Sequence, residues 1–200
     1  NPCQVHVYQD EHTMLVEFVK FVQQSDPDLL SGWNVVGFDL PYLIERCAHC
    51  LPEPVQCAIG RGGTNATVYH GEGRGGTKIH VHGRVVADML PMWRAQHSER
   101  SYRLDDVAKR HLGASKAPIR YSEMRMLWAA SAYTRARMAT YCVKDSWLVW
   151  KLGITRSVWV NAVQMSKVTF VPLDRIINGG QQIRVFTLLT NFAHKSRIYI

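Results

Sequence analysis

No stretch of this 200-residue chain strings together the roughly 20 apolar residues that a membrane-crossing helix needs. It also lacks the basic start, apolar run and small-residue cleavage site of a secretory signal. Cysteine is sparse and odd in number: Cys3, Cys47, Cys50, Cys57 and Cys142, irregularly spaced. That pattern excludes the disulfide framework of a small secreted domain and points to a reducing, intracellular compartment. Internal repeats and low-complexity linkers are missing too, which excludes solenoids and tethered arrays. The chain opens on Asn1 instead of Met and closes on the strand-like "SRIYI". The expectation is a piece of a longer polypeptide, with no membrane among its partners.

Acidic residues are few, 16 against 24 Lys and Arg, for a net charge of +8. Their distribution is uneven. Residues 1–60 hold two basic and eight acidic residues, a balance of −6, whereas residues 61–200 hold 22 basic and eight acidic, a balance of +14. Such an asymmetry suits a polyanion partner on one side of the molecule, nucleic acid before others.

The apolar pattern predicts an α/β layer fold. "VHVYQ" alternates like a strand. "DEHTMLVEFVKFVQQ" reads as a helix with Leu15, Phe18, Val19 and Val22 on its inner stripe. "LLSGWNVVGFDLP" reads as a buried strand running into a turn, and "PYLIERCAHC" as a helix with Pro41 in its first turn. Residues 60–83 alternate in two segments around a Gly- and Arg-rich centre, the pattern of a β-hairpin with a flexible tip. Gly71, Gly73 and Gly76 match G-x-G-x-x-G, but a strand follows where a dinucleotide fold needs a helix. "RVVADML" is a buried strand ending at Asp88, and "SYRLDDVAKRHLG" a helix capped by Gly113. A long helix begins near Thr134, "SVWVNAVQMSKV" continues helically, and "TFVPLDRIINGGQQIRVFTLL" turns and re-enters a helix.

"CAHC" at Cys47–Cys50 is formally C-x-x-C, with Cys57 and His49 close by; a zinc site would want a fourth ligand and a loop, and two half-buried thiols fit the helical setting better. His80 and His82 lie at i, i+2 on one strand face and read as solvated side chains, since a metal wants at least three protein groups.

Two acids sit in apolar company. In "GWNVVGFDLPYL", Val35, Val36, Phe38, Leu40, Tyr42 and Leu43 read as interior, with Asp39 among them at the end of a strand and Asn34 just before. An unpaired buried carboxylate is expensive, so Asp39 needs a hydrogen-bond partner, a cation or a metal. Asp145 lies in the long helix between Cys142, Val143, Trp147 and Leu148, with Tyr141 one turn earlier on the same face. A surface Asp paired with Lys144 or Arg137 accounts for it equally well on composition. Carboxylates converging from different elements, with a phenol beside them, suit two-metal phosphodiester hydrolysis: hard divalent cations prefer carboxylate oxygens, and a phenol can orient the attacking water.

At this point the sequence resembles the family B DNA polymerases. "GWNVVGFDLPYL" is similar to their second exonuclease motif and "YCVKD" to their third, Tyr-x-x-x-Asp, with 106 positions from Asp39 to Asp145. "DPDLLSGWN", "GRVVADML", "SYRLDDVAKRHLG" and "VNAVQMSKVTFVPLDRIINGGQQIRVFTLL" resemble, in the same order, stretches of the delta-type catalytic subunit and of its large-DNA-virus relatives. The resemblance implies an α/β, ribonuclease H-like 3′→5′ exonuclease fold, N-terminally truncated, with a β-hairpin insertion and a mostly helical C-terminal connector. It implies an exonuclease part over residues 1–157 and a connecting segment toward the polymerase palm over residues 158–200. Carried over, Asp39 and Asp145 are metal-binding and catalytic, Tyr141 positions the water, and Asn34 and Phe38 contact the frayed 3′ end. No catalytic role is carried to Asp88, for which packing or pairing within the sheet is expected. Two Mg2+ or Mn2+ ions are implied in the complete site, with DNA as substrate. Deoxynucleoside triphosphates are implied in the missing palm, where no nucleotide-binding residue of this chain takes part, and a sliding clamp or accessory subunits as further partners.

Trp33 stands where the family usually has Tyr, and Asp-x-Glu, the family's first motif, occurs nowhere in the chain. The expectation is half an excision site, with the piece inactive by itself. A stand-alone DEDD-type exonuclease would lack the "VPLDRIINGGQQIRVFTLL" tail. A catalytically dead DNA-binding scaffold of the same fold would not need Asp39, Tyr141 and Asp145 intact. The implied location is the nucleus or a viral replication site, and the loose match at "WRAQHSERSYRL" leans viral.

Overall fold

Asp10 starts the first helix. Its carboxylate accepts the Thr13 backbone N–H at 2.7 Å, satisfying one of the donors that every helix start leaves without an intrahelical partner. The computed structural model describes residues 4–52, 56–71, 76–115 and 119–198, and divides into a unit of residues 1–88 and a unit of residues 89–200.

In the first unit, α1 (Glu11–Ser25) buries Leu15, Val19 and Val22. Phe18, expected on the same stripe, is exposed; at 100° per residue it lies about 60° round the helix from Leu15, at the stripe's edge. Residues 5–9, expected as a strand, stay irregular, and all but the half-buried Tyr8 are exposed. Alternation alone does not make a strand without a neighbour to take up its backbone hydrogen bonds. Strand β1 (Leu29–Gly32) lies parallel to β4 (Val85–Asp88), with Leu29 opposite Val85 and Gly32 opposite Asp88. Between them in sequence come α2 (Asp39–Cys50) and an antiparallel hairpin, β2 (Thr67–His70) with β3 (Thr77–His80). The expected hairpin is therefore present; its tip, residues 72–75 including Gly73, lies outside the described residues. The core joins α1 and α2 to these strands through Leu15, Val19, Val35, Leu40, Cys47 and Val86, among others.

Arg61 and Arg84 tie the hairpin's base to the end of α1. Arg84 Nε donates to the Ile59 carbonyl at 2.8 Å, and its Nη1 to Asp26 at 2.8 Å and the Pro27 carbonyl at 2.5 Å. Arg61 reaches Asp26 at 2.9 Å and Asp28 at 2.5 Å from the solvent side. Hydrogen bonds from Arg61 and then Arg84 hold the Asp26 carboxyl below its ordinary range.

Among the described residues, the regular structure of the second unit is all helical. Helix α3 (Met89–Gln96) follows β4 directly; sequence reasoning missed it, although Pro91 in its first turn is a start signal. Next come α4 (Leu104–Leu112), closed by Gly113 at φ 64°, and α5 (Met124–Ala130). Helix α6 (Ala132–Thr155) starts two residues earlier than expected because Ser131 and Thr134 form a reciprocal cap: Ser131 Oγ accepts from Thr134 N at 3.2 Å, and Thr134 Oγ1 accepts from Ser131 N at 3.0 Å. Ser157, at φ 53°, breaks the chain before α7 (Val158–Thr169), so the expected continuation is a separate helix. Gly153 lets Trp159 approach; a Cβ there would fall 2.1 Å from the indole nitrogen. Helices α8 (Leu173–Asn178) and α9 (Gln181–Lys195) complete the unit. The expected terminal strand is a turn at Ser196 and Arg197, with Tyr199 and Ile200 outside the described residues. Helix α4 packs on α6, α6 on α7, and α7 on α8 and α9. No helix among the described residues is long and apolar enough to cross a membrane.

Candidate active site

The first group of site residues lies on the turn between β1 and α2. Asn34 adopts a left-handed backbone, φ 64°, which ends the extended run after Gly32. The N–H groups of Gly37 and Phe38 then both donate to the Asn34 carbonyl, at 3.1 and 3.0 Å, and Leu40 N donates to Val35 O at 2.9 Å. Asp39 therefore stands in the first turn of α2 and not at a strand end as expected. A carboxylate there also sits at the favourable, positive end of the helix dipole.

Burial corrects the sequence reading further. Val35 and Leu40 are interior, and Val36 and Leu43 pack against the core part-buried. Phe38 and Tyr42, however, are each 60 % exposed, and Asp39 is exposed as well. The turn takes Val35, Val36 and Leu40 toward the core and offers Asn34, Phe38 and Asp39 outward, a division that hydrophobicity alone cannot show.

The buried carboxylate of this region is Asp88, at 6 % exposure. Its Oδ1 accepts the Asn34 N–H at 2.9 Å and its Oδ2 the Val36 N–H at 3.1 Å. It is paired, as expected of a buried acid, but these two bonds go to the site turn and not within the sheet. The sequence signal was there: Asp88 is the one acid at the end of an otherwise apolar strand.

The second group lies on α6. Tyr141 and Asp145 are four residues apart on one helix face and both half-buried, with Asp145 Oδ1 shielded from solvent. Lys144 is half-buried beside them, and Arg137, one turn before Tyr141, is exposed. The structure thus gathers Asn34, Phe38 and Asp39 in one turn of the first unit, and Tyr141 with Asp145 on one helix of the second.

Neighbouring polar clusters have other work. Glu99 accepts hydrogen bonds from His111 Nε2 at 2.6 Å, Trp93 Nε1 at 3.5 Å and Arg110. The His111 bond comes first among the causes that hold its carboxyl below the ordinary range. Cys47 is fully buried, more so than expected, and Cys50 half-buried, its Sγ accepting from Arg46 at 3.3 Å. The hydrogen bond shared with Cys47, and then burial, push the Cys57 thiol up.

Asp39 and Asp145 offer the hard oxygen donors that Mg2+ or Mn2+ prefer. Among the described residues no group of three or more His, Cys, Asp or Glu side chains could hold a metal ion. Each of the two aspartates, taken by itself, is the kind of oxygen donor that a divalent cation accepts.

Residues 1–107 match the model of the exonuclease domain of DNA polymerase family B. The chain is 32 % identical to the DNA polymerase catalytic subunit of Epstein-Barr virus (strain B95-8), over 98 % of this chain and 20 % of that protein. It is 35 % identical to the DNA polymerase delta catalytic subunit of Bos taurus, over 94 % of this chain and 18 % of that one. The DNA polymerase catalytic subunit of rat cytomegalovirus (strain Maastricht) is 32 % identical over 92 % of this chain and 16 % of its own length. The chain thus spans at most a fifth of the length of these relatives. Exonuclease domains of DNA polymerases generally use divalent metal ions. With more than half of its residues matched to that model, on an α/β, mostly helical framework, the chain belongs to the exonuclease-domain family of the family B DNA polymerases.

Proposed function

We propose that the chain is the proofreading part of a replicative DNA-directed DNA polymerase, which removes mispaired nucleotides by 3′→5′ hydrolysis of the terminal phosphodiester. The observation that carries this reading is the exposed turn of Asn34, Phe38 and Asp39 in a chain that also keeps Tyr141 and Asp145 on one helix face. The helix dipole favours an acid at this helix start, and its exposure beside an exposed aromatic ring leaves both within reach of a ligand from solvent.

Asp39 and Asp145 would hold the divalent cations, two Mg2+ or Mn2+ in the complete site, which when bound activate water and stabilise the leaving oxygen. The rest falls to this chain's own groups. Phe38 offers a ring face on which the unpaired terminal base stacks, a contact every base permits and therefore blind to sequence. The Asn34 amide holds the frayed 3′ end by hydrogen bonding. The Tyr141 hydroxyl orients the attacking water, and its place one helical turn from Asp145 supports that role. The +14 balance after residue 60 neutralises strand phosphates.

The finer reading is a ribonuclease H-like fold lacking its first strands, with excision in residues 1–157 and a connector toward the palm in residues 158–200. The parent polymerase takes deoxynucleoside triphosphates in its palm, works with a clamp or accessory subunits, and acts in the nucleus or at a viral replication site.

The test uses the full-length parent polymerase on single-stranded DNA with Mg2+. Asp39→Ala should lower nucleotide release by about 100-fold or more, the loss of one of the few groups holding a catalytic cation. Release that survives Asp39→Ala, or that continues in excess chelator, would refute the assignment.

A further inference from the structure

We propose that Asp88 is a positioning residue for excision: it fixes the turn that presents Asn34, Phe38 and Asp39, and so sets where the Asp39 carboxylate stands. The proposal rests on the role assigned to that turn above.

Asp88 ends β4, directly opposite Gly32, where β1 lets go. Its carboxylate bridges two N–H groups of the departing chain, Asn34 at 2.9 Å and Val36 at 3.1 Å. The turn's other bonds are already committed: Gly37 and Phe38 donate to Asn34 O, and Leu40 to Val35 O. Without Asp88, the Asn34 and Val36 amides would lose their acceptor beside a buried core. Asn34 is also held left-handed, at φ 64°, a backbone that non-glycine residues rarely keep unaided. Its side chain lies over Gly37, where a Cβ would fall 2.6 Å from Asn34 Oδ1. The geometry runs in sequence from Asp88 to the Asn34 backbone, to the fold of the turn over Gly37, and to the first turn of α2 with Asp39. An acid serving the sheet alone would bond to strand residues; both of these bonds go to the site turn.

The experiment uses the full-length polymerase with Asp88→Asn beside Ser31→Ala. Asn retains one acceptor and sets an N–H against the second amide. Ser31 Oγ donates to Ala87 O at 2.8 Å, between the same two strands, without touching the turn. Thermal midpoint, matched-primer extension, excision of a 3′ mismatch and the Mg2+ concentration for half-maximal excision are measured for each, well below the midpoint. Asp88→Asn should lower excision turnover at least tenfold and raise the Mg2+ requirement at least threefold, with extension unchanged. Ser31→Ala should move only the thermal midpoint. In the unmutated polymerase, the Asn34 and Val36 amides should exchange slowly with deuterium although their turn is largely exposed, a readout that needs no variant to fold.

Fast exchange at both amides would overturn the proposal. So would Asp88→Asn losing excision only in proportion to its thermal midpoint, with the Mg2+ requirement of Ser31→Ala. Asp39→Ala, run in parallel, separates the two readings. If it leaves excision intact, the role of the turn fails and the positioning proposal with it. If it abolishes excision while Asp88→Asn behaves like Ser31→Ala, only the positioning proposal fails.

Discussion

Arg84→Met should cost the first unit far more stability than Arg61→Met, although Arg61 makes ion pairs with two aspartates and Arg84 with one. The Arg84 side chain is 1 % exposed. Its guanidinium serves the Ile59 carbonyl at 2.8 Å and the Pro27 carbonyl at 2.5 Å, with a weaker contact to Val22 O at 3.4 Å. Truncation leaves the first two without their donor, at ~1–3 kcal/mol each. Methionine retains much of the stem's packing, and the buried charge no longer has to be desolvated. The net loss should be about 3 kcal/mol, a fall in the thermal midpoint of about 6–12 °C for a chain of this size. Arg61 and its partners face water, with Asp28 90 % exposed, and such pairs contribute little because solvent screens them. Thermal unfolding of the two variants, followed by circular dichroism, decides the matter. Equal shifts would refute the reasoning that orphaned carbonyls, and not ion pairs, set the cost.

Tyr141→Phe in the parent polymerase should slow excision less than Asp39→Ala does, roughly tenfold to 100-fold, because the ring stays and only the water's hydroxyl partner is lost; a loss as deep as that of Asp39→Ala would mean the hydroxyl does more than orient water. Acid should destabilise the chain through Asp26 and Glu99, whose folded carboxyls are held below their ordinary values of 3.8 and 4.5 by Arg61 and by His111 respectively. A depressed folded value contributes stability above the ordinary value and loses it as pH falls through the folded one. Urea midpoints should therefore fall from pH 5 toward pH 3, less steeply in Glu99→Gln, and a flat or rising profile would contradict the hydrogen bonding described.

Much of this was legible because periodicity and caps are local. The stripe of Leu15, Val19 and Val22, the Gly113 cap and the Asp88 strand end each follow from neighbours a few residues away. The site turn was misread because a dense apolar run looks uniformly buried in one dimension. Only the left-handed Asn34 and the bonds returning to its carbonyl separate Val35 and Leu40, which go inside, from Phe38 and Asp39, which go out. The question of which carboxylate is buried also turned on tertiary pairing: Asp88 meets Asn34 across 54 residues of sequence, a contact that no local pattern encodes. Helix α3 was lost to composition, since Pro91 and Trp93 in "MLPMWRAQ" weaken a propensity reading even though Pro is tolerated in a first turn.

The most direct test of the account is to measure excision and extension on one preparation of the full-length polymerase carrying Asp145→Ala. Excision of a 3′-mispaired primer and extension of a matched primer are followed in the same buffer with Mg2+. The account predicts that excision falls by about 100-fold or more while extension stays within about twofold of the unmutated enzyme, since a metal-holding carboxylate is lost from one site and the polymerising site lies elsewhere. Excision at the unmutated rate, or extension lost in equal measure, would contradict it.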